Sequence, residues 1–191
     1  MKTLKPLAIL TLVLAAAMPA NAVLIPFDLI GRSGPGMRFD NENPSSASGN
    51  GTGGEIGAGI SFETTTSVLT LNVGWGSGNG FTNLTGTVTA GHIHNAGSAA
   101  LTASGGVIIS LDGATPGFNS SGTNGGWTNT IVALSAAQAT ALTSGFLYLN
   151  AHTAANGGGE IRGNLVQAPE PSSVALVMMG VSGMLLRRRR A

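Results

Sequence analysis

Three histidines are the only imidazoles in this chain of 191 residues. They fall in two short segments, Gly91-His92-Ile93-His94-Asn95-Ala96-Gly97 and Tyr148-Leu149-Asn150-Ala151-His152-Thr153. Both segments are otherwise rich in Leu, Ile and Thr and read as β-strands. Successive side chains of a strand alternate faces, so His92 and His94 point to one side, roughly 7 Å apart at Cα, with Ile93 on the other. Three neutral imidazoles with an open fourth position suit copper or zinc, and such a centre activates water or, with copper, exchanges electrons. The same three rings can instead hydrogen-bond to Glu160, Asn150 or the backbone and lock strand ends, and both readings stay open at this stage.

Glu160 and Arg162 stand two apart in Gly159-Glu160-Ile161-Arg162-Gly163 and therefore share a strand face. They are expected to form a surface ion pair worth roughly 0 to 1 kcal/mol, or else Glu160 orients His152. Trp75, Trp127 and Tyr148 offer a stacking platform for an extracellular polysaccharide, or serve as core and hairpin anchors. No nucleophile elbow, phosphate loop or paired-carboxylate motif is present in the sequence.

The elements that must position these residues are strands. Ile60, Phe62, Leu69, Leu71 and Val73 recur at period two and predict a hairpin turning near Thr65-Thr66. Val23 to Leu29 predicts a first strand, followed by Leu84 to His94, Val107 to Leu111, Thr128 to Leu134, Phe146 to Thr153 and Glu160 to Val166. The stretch from Gly31 to Gly59 is dominated by Gly, Ser, Asn and Pro and reads as loops. Ser135-Ala136-Ala137-Gln138 has the spacing of a helix capping box and predicts a helix from Ala136 to Leu142, ended by Gly145. Seven to eight short strands with one short helix indicate an all-β sandwich or barrel. Strand parity sends Leu147, Leu149, Ile161 and Ile93 inward, so His92, His94, His152 and Arg162 are expected together on one outer patch. Leu84, Val88 and Ala90 share the parity of His92, which requires one residue out of step, and a bulge at Gly91 would supply it.

The two ends read as processing signals. Residues 1–22 carry Lys2 and Lys5, an apolar run of about 11 residues and Ala20-Asn21-Ala22, the order of a secretory signal peptide cleaved by signal peptidase after Ala22. Residues 167–191 hold Pro169-Glu170-Pro171, an apolar segment from Val174 to Leu186 expected as a helix, and Arg187, Arg188, Arg189 and Arg190, a positive end that favours the cytoplasmic side. Between them, residues 23–168 set three arginines against seven carboxylates and contain no lysine, a net charge of −4. That balance excludes nucleic acid as a partner, since phosphate neutralisation supplies most such affinity. With no cysteine, the fold must hold without disulfides in a compartment that would permit them.

The tail resembles the PEP-CTERM sorting signal, which implies recognition and removal by an exosortase-type transpeptidase after transient inner-membrane anchoring, and delivery to the cell surface or extracellular polymer. The histidine segments, together with Gly158-Gly159-Glu160-Ile161-Arg162-Gly163-Asn164-Leu165 and, at the start, Asn41-Glu42-Asn43-Pro44, closely resemble the CHRD (chordin-type) domain, here over 39–166 after an N-terminal strand and linker at 23–38. The resemblance implies an immunoglobulin-like, Greek-key β-sandwich. It also carries a distant likeness to Cu,Zn superoxide dismutases: His92 and His94 are similar to a copper-binding His-x-His pair, and His152 and Arg162 are similar in order to a third copper histidine and an active-site arginine. No fourth histidine, zinc-ligand set or disulfide accompanies them. The expected function is a structural or binding role at the envelope, the alternative a copper or zinc metalloprotein with redox or hydrolytic activity.

Overall fold

Alternation of apolar and polar residues builds the hairpin of β4 (Ile60–Glu63) and β5 (Val68–Trp75) as the sequence predicts. Its turn is closed by Glu63, whose carboxylate accepts hydrogen bonds from the amides of Thr65 and Thr66 and from the Thr66 hydroxyl. The Thr66 hydroxyl above all, then the Thr65 amide, hold that carboxyl well down, at about 2. The computed structural model describes residues 22–39 and 50–169, so the signal-peptide reading, the Asn41–Pro44 element and the sorting tail from Glu170 onward lie outside the described residues.

The remaining strands are β1 (Leu24–Gly31), β2 (Gly34–Pro35), β3 (Gly53–Glu55), β6 (Val88–Asn95), β7 (Gly106–Ser110), β8 (Phe118–Ser121), β9 (Asn124–Ala133), β10 (Leu147–Thr153) and β11 (Ile161–Gln167). The fold is all-β, an antiparallel sheet curled on itself, with one α-helix among the described residues, α1 (Ala136–Thr143). The capping box is formed: Ser135 Oγ accepts from the Gln138 amide and the Gln138 side chain accepts from the Ser135 amide.

Strand order is β7-β6-β10-β11-β1-β4-β5-β9-β8, with β2 on β1 and β3 on β5. β1 divides its pairing, holding β11 through Phe27–Leu29 and β4 through Leu24–Phe27. Two arms thus share one continuous ladder and face each other as a sandwich: Trp127 of β9 reaches across to the end of β7, where its indole N–H donates to Leu111 O at 3.1 Å. Between the arms lie Leu69, Leu71, Val73, Trp75, Trp127, Ile93, Leu149 and Ile161, all buried.

Among the described residues eleven strands, rather than seven to eight, make the sheet. The additional ones are β2, β3 and β8, whose sequences Gly-Pro, Gly-Gly-Glu and Phe-Asn-Ser-Ser carry no apolar alternation to read. Leu84 is buried but precedes the strand, which begins at Val88. The expected bulge exists, two residues before the expected place. His152 pairs with Ala90 and Thr153 with Val88, leaving Thr89 as the extra residue. Val88 therefore faces the core, and after Thr89 the alternation restarts with Gly91 and Ile93 inward and Ala90, His92 and His94 on the opposite face. Gly91 is glycine for a different reason: a Cβ there would lie 2.1 Å from Trp127 Cζ2.

Candidate metal centre

The face of β6, β10 and β11 turned away from the core is a ladder of polar residues in register. His94 pairs with Tyr148 and Tyr148 with Asn164; His92 pairs with Asn150 and Asn150 with Arg162. His152 continues the β10 row one step further. Strand parity alone brings these side chains together. The face is not an outer patch, however. Tyr148, Asn150, Arg162, Asn164, Glu160 and His94 are all buried, and only His92 and His152 are half-buried. The connections β6–β7 and β10–β11 bond across it, which sequence periodicity could not reveal.

The three histidines converge, with one ligand atom from each lying within 4.8 Å of the others. His92 Nδ1 stands 2.9 Å from His152 Nε2, and the ring centroids are 4.7 Å apart for His92 and His152, 5.5 Å for His92 and His94, and 6.5 Å for His94 and His152. Backbone carbonyls fix two tautomers. His94 Nδ1 lies 2.9 Å from Gly105 O and His152 Nδ1 lies 2.9 Å from Gly157 O. A carbonyl only accepts, so both Nδ1 atoms carry protons and both Nε2 lone pairs face away from the backbone. Asn150 Oδ1 is placed 3.0 Å from His152 Nε2, so this buried amide also borders the cluster.

Beside His94 stands a stack of three planar groups. The Tyr148 ring lies parallel to His94, 8° off with centroids 4.7 Å apart, and the Arg162 guanidinium covers the other face of Tyr148 at 3.6 Å. Arg162 donates to Ala103 O, to Ser104 Oγ and to Asn164 Oδ1.

Two expectations are corrected. Glu160 neither pairs with Arg162 at the surface nor orients His152: its buried carboxylate accepts from the Thr85 amide (2.7 Å), the Thr85 hydroxyl (2.6 Å), the Thr153 hydroxyl (2.6 Å) and the Asn156 amide (3.2 Å). Desolvation raises the Glu160 pKa, but the hydrogen bonds from Thr153, Thr85 and Asn156 together outweigh it and hold the carboxyl below its ordinary value. Trp75, Trp127 and Tyr148 are fully buried and offer no platform to a polysaccharide. Trp75 and Trp127 pack edge to face at 4.9 Å as core anchors.

The family model described as the CHRD domain matches residues 37–165. The chain belongs to the CHRD domain family. Directly after the CHRD domain, the PEP-CTERM protein-sorting motif matches residues 167–190. It marks an exported, envelope-targeted protein processed by an exosortase-type system. No curated protein and no solved structure matches the chain.

Within the CHRD domain, sequence reasoning missed the carbonyls of Gly105 and Gly157 that orient His94 and His152, and the Thr85, Thr153 and Asn156 cradle around Glu160. Carbonyls belong to every residue, so no side-chain type marks them in advance. The donor set fits a borderline metal. Two nitrogens at 2.9 Å match neighbouring ligands at right angles around an ion with bonds of roughly 2.0 to 2.1 Å, and would open to about 3.3 Å for a tetrahedral ion. The third ligand atom, within 4.8 Å of the others, would have to draw closer for all three to hold one ion.

Proposed function

We propose that this CHRD protein serves the cell envelope as a metal-binding module, holding one copper or zinc ion through His92, His94 and His152 in a binding or structural role rather than a catalytic one. The observation that carries this reading is the convergence of the chain's three imidazoles, with two Nδ1 protons fixed by Gly105 and Gly157. Neutral imidazole is the commonest ligand for either metal. Preset tautomers remove the cost of choosing the ligating nitrogen at the moment of binding. A bound ion would supply a cationic site with an open coordination position. His92 Nδ1 and His152 Nε2 stand 2.9 Å apart, and an ion held by both nitrogens would take the place of that contact, with the His92 proton carried on Nε2 of the same neutral ring.

Mature protein purified without chelators is expected to carry close to one copper or zinc ion per chain by elemental analysis. His92→Ala and His152→Ala are each expected to weaken affinity by more than about 100-fold, beyond the roughly 10- to 100-fold that outer partners of a metal site contribute. A mature protein that takes up neither ion on titration would exclude the reading.

A further inference from the structure

The β6–β7 connection crosses the polar face and supplies Gly105 O to His94. Two residues, Arg162 and Tyr148, fasten it. Arg162 donates to Ala103 O and to Ser104 Oγ, the Gly105 amide donates to the Tyr148 hydroxyl at 3.3 Å, and that hydroxyl lies 3.4 Å from Gly105 O. Only glycine fits at position 105, since a Cβ there would fall 1.7 Å from Asn95 O. The guanidinium fork, the phenol and the imidazole also stack in one column. The His94 ring is thus held at Nδ1 by Gly105 O and on one face by Tyr148, neither of which belongs to the cluster.

We infer that Arg162 and Tyr148 are positioning residues for the metal: they clamp the 96–105 connection so that Gly105 O holds the His94 proton on Nδ1 and aims Nε2 at the ion. The inference rests on the metal reading above. His92 and His152 are held differently. They touch each other at 2.9 Å, and His152 is oriented by Gly157 O from the β10–β11 connection. Loosening the clamp therefore releases one ligand of three and leaves a two-histidine site. Lysine in place of Arg162 keeps the charge but not the planar fork that reaches Ala103 and Ser104 together. Phenylalanine in place of Tyr148 keeps the stack on His94 and removes the hydroxyl contact to Gly105.

The test uses Cu(II) as probe on the mature protein and its Arg162→Lys and Tyr148→Phe variants, with thermal melting to establish that each is folded. Wild type is expected to show nitrogen hyperfine coupling from three imidazoles. Arg162→Lys is expected to show two, with affinity lower by about 10- to 100-fold, and Tyr148→Phe a smaller loss in the same direction. Folded variants that keep three nitrogens and wild-type affinity would show the clamp to be purely structural and overturn the inference. If wild type itself binds no Cu(II) or Zn(II), the metal reading fails, and the clamp has nothing to position. Should Arg162→Lys not fold, Tyr148→Phe alone decides, because it removes a single oxygen.

Discussion

Glu160 keeps a charge in a buried layer by collecting donors rather than a counter-ion. Two hydroxyls, one backbone amide and one side-chain amide surround its oxygens, and hydrogen bonds to a charged acceptor are worth more than neutral ones. Because its folded pKa lies below the ordinary value, the ionised form favours the folded state. That contribution is complete above the unfolded carboxyl's pKa, near 4.3, and is lost as pH falls through the lower folded value. Glu160→Gln is expected to cost about 2 kcal/mol at pH 7, since its amide nitrogen would have to face a donor. Urea denaturation at pH 7 and again near pH 3 checks this. The gap between the two proteins should narrow in acid, and an equal gap at both would mean that the charge contributes nothing. At this scale the sequence was legible only in part. The two-residue spacing placed Glu160 and Arg162 on one strand face, but it could not say that Thr85, 75 positions away, would occupy the carboxylate. Long-range partners of a polar side chain leave no periodic trace.

β6 shows what one inserted residue does to an element. At Val88, its first residue, the strand offers an even position to the core; beyond Thr89 it offers its odd ones. His92 and His94 would otherwise be core residues facing Trp127. The conflict in parity was readable from Val88 against Ile93, and so was the need for a bulge. Its location was not, because glycine marks two things in strands, a bulge or the close approach of another group, and Gly91 is the second. Gly91→Ala would drive a methyl group to within 2.1 Å of Trp127 Cζ2. Overpacking of this kind typically costs 1 to 3 kcal/mol. The variant is expected to melt lower, with altered tryptophan emission as Trp127 shifts and its hydrogen bond to Leu111 O lengthens. Unchanged melting and emission would mean that the two arms are not held at the separation described. The helix, by contrast, was legible to within a residue, because its capping box is local and both partners lie within four positions.

For the whole molecule, the position of the two ends relative to the sheet bears on sorting. β11 runs to Gln167, which pairs with Phe27, and the Ala168 amide donates to Pro26 O at 3.0 Å. The chain therefore passes straight from a paired strand into the PEP-CTERM motif, whose match begins at residue 167. Residues 169–173 alone separate this last hydrogen bond from the apolar segment at 174–186, a reach of about 20 Å at full extension. While the tail is intact, the sandwich would be held close to the membrane with β1 and β11 at its near edge. The amino end leaves beside them. Cleavage after Ala22 leaves β1 whole, with the Val23 amide bonded to Thr64 Oγ1, whereas cleavage three residues later would remove part of the β1–β4 pairing. Intact-mass measurement of protein from the native host is expected to give chains that begin at Val23 and lack residues 174–190. Replacing Pro169, Glu170 and Pro171 together by alanine should leave the tail attached and the protein in the membrane fraction, with the fold unchanged because these residues follow the last sheet hydrogen bond. If most wild-type molecules retain 174–190, the tail acts as a permanent anchor, and the proposed metal site would then operate within about 20 Å of the bilayer rather than in the extracellular polymer.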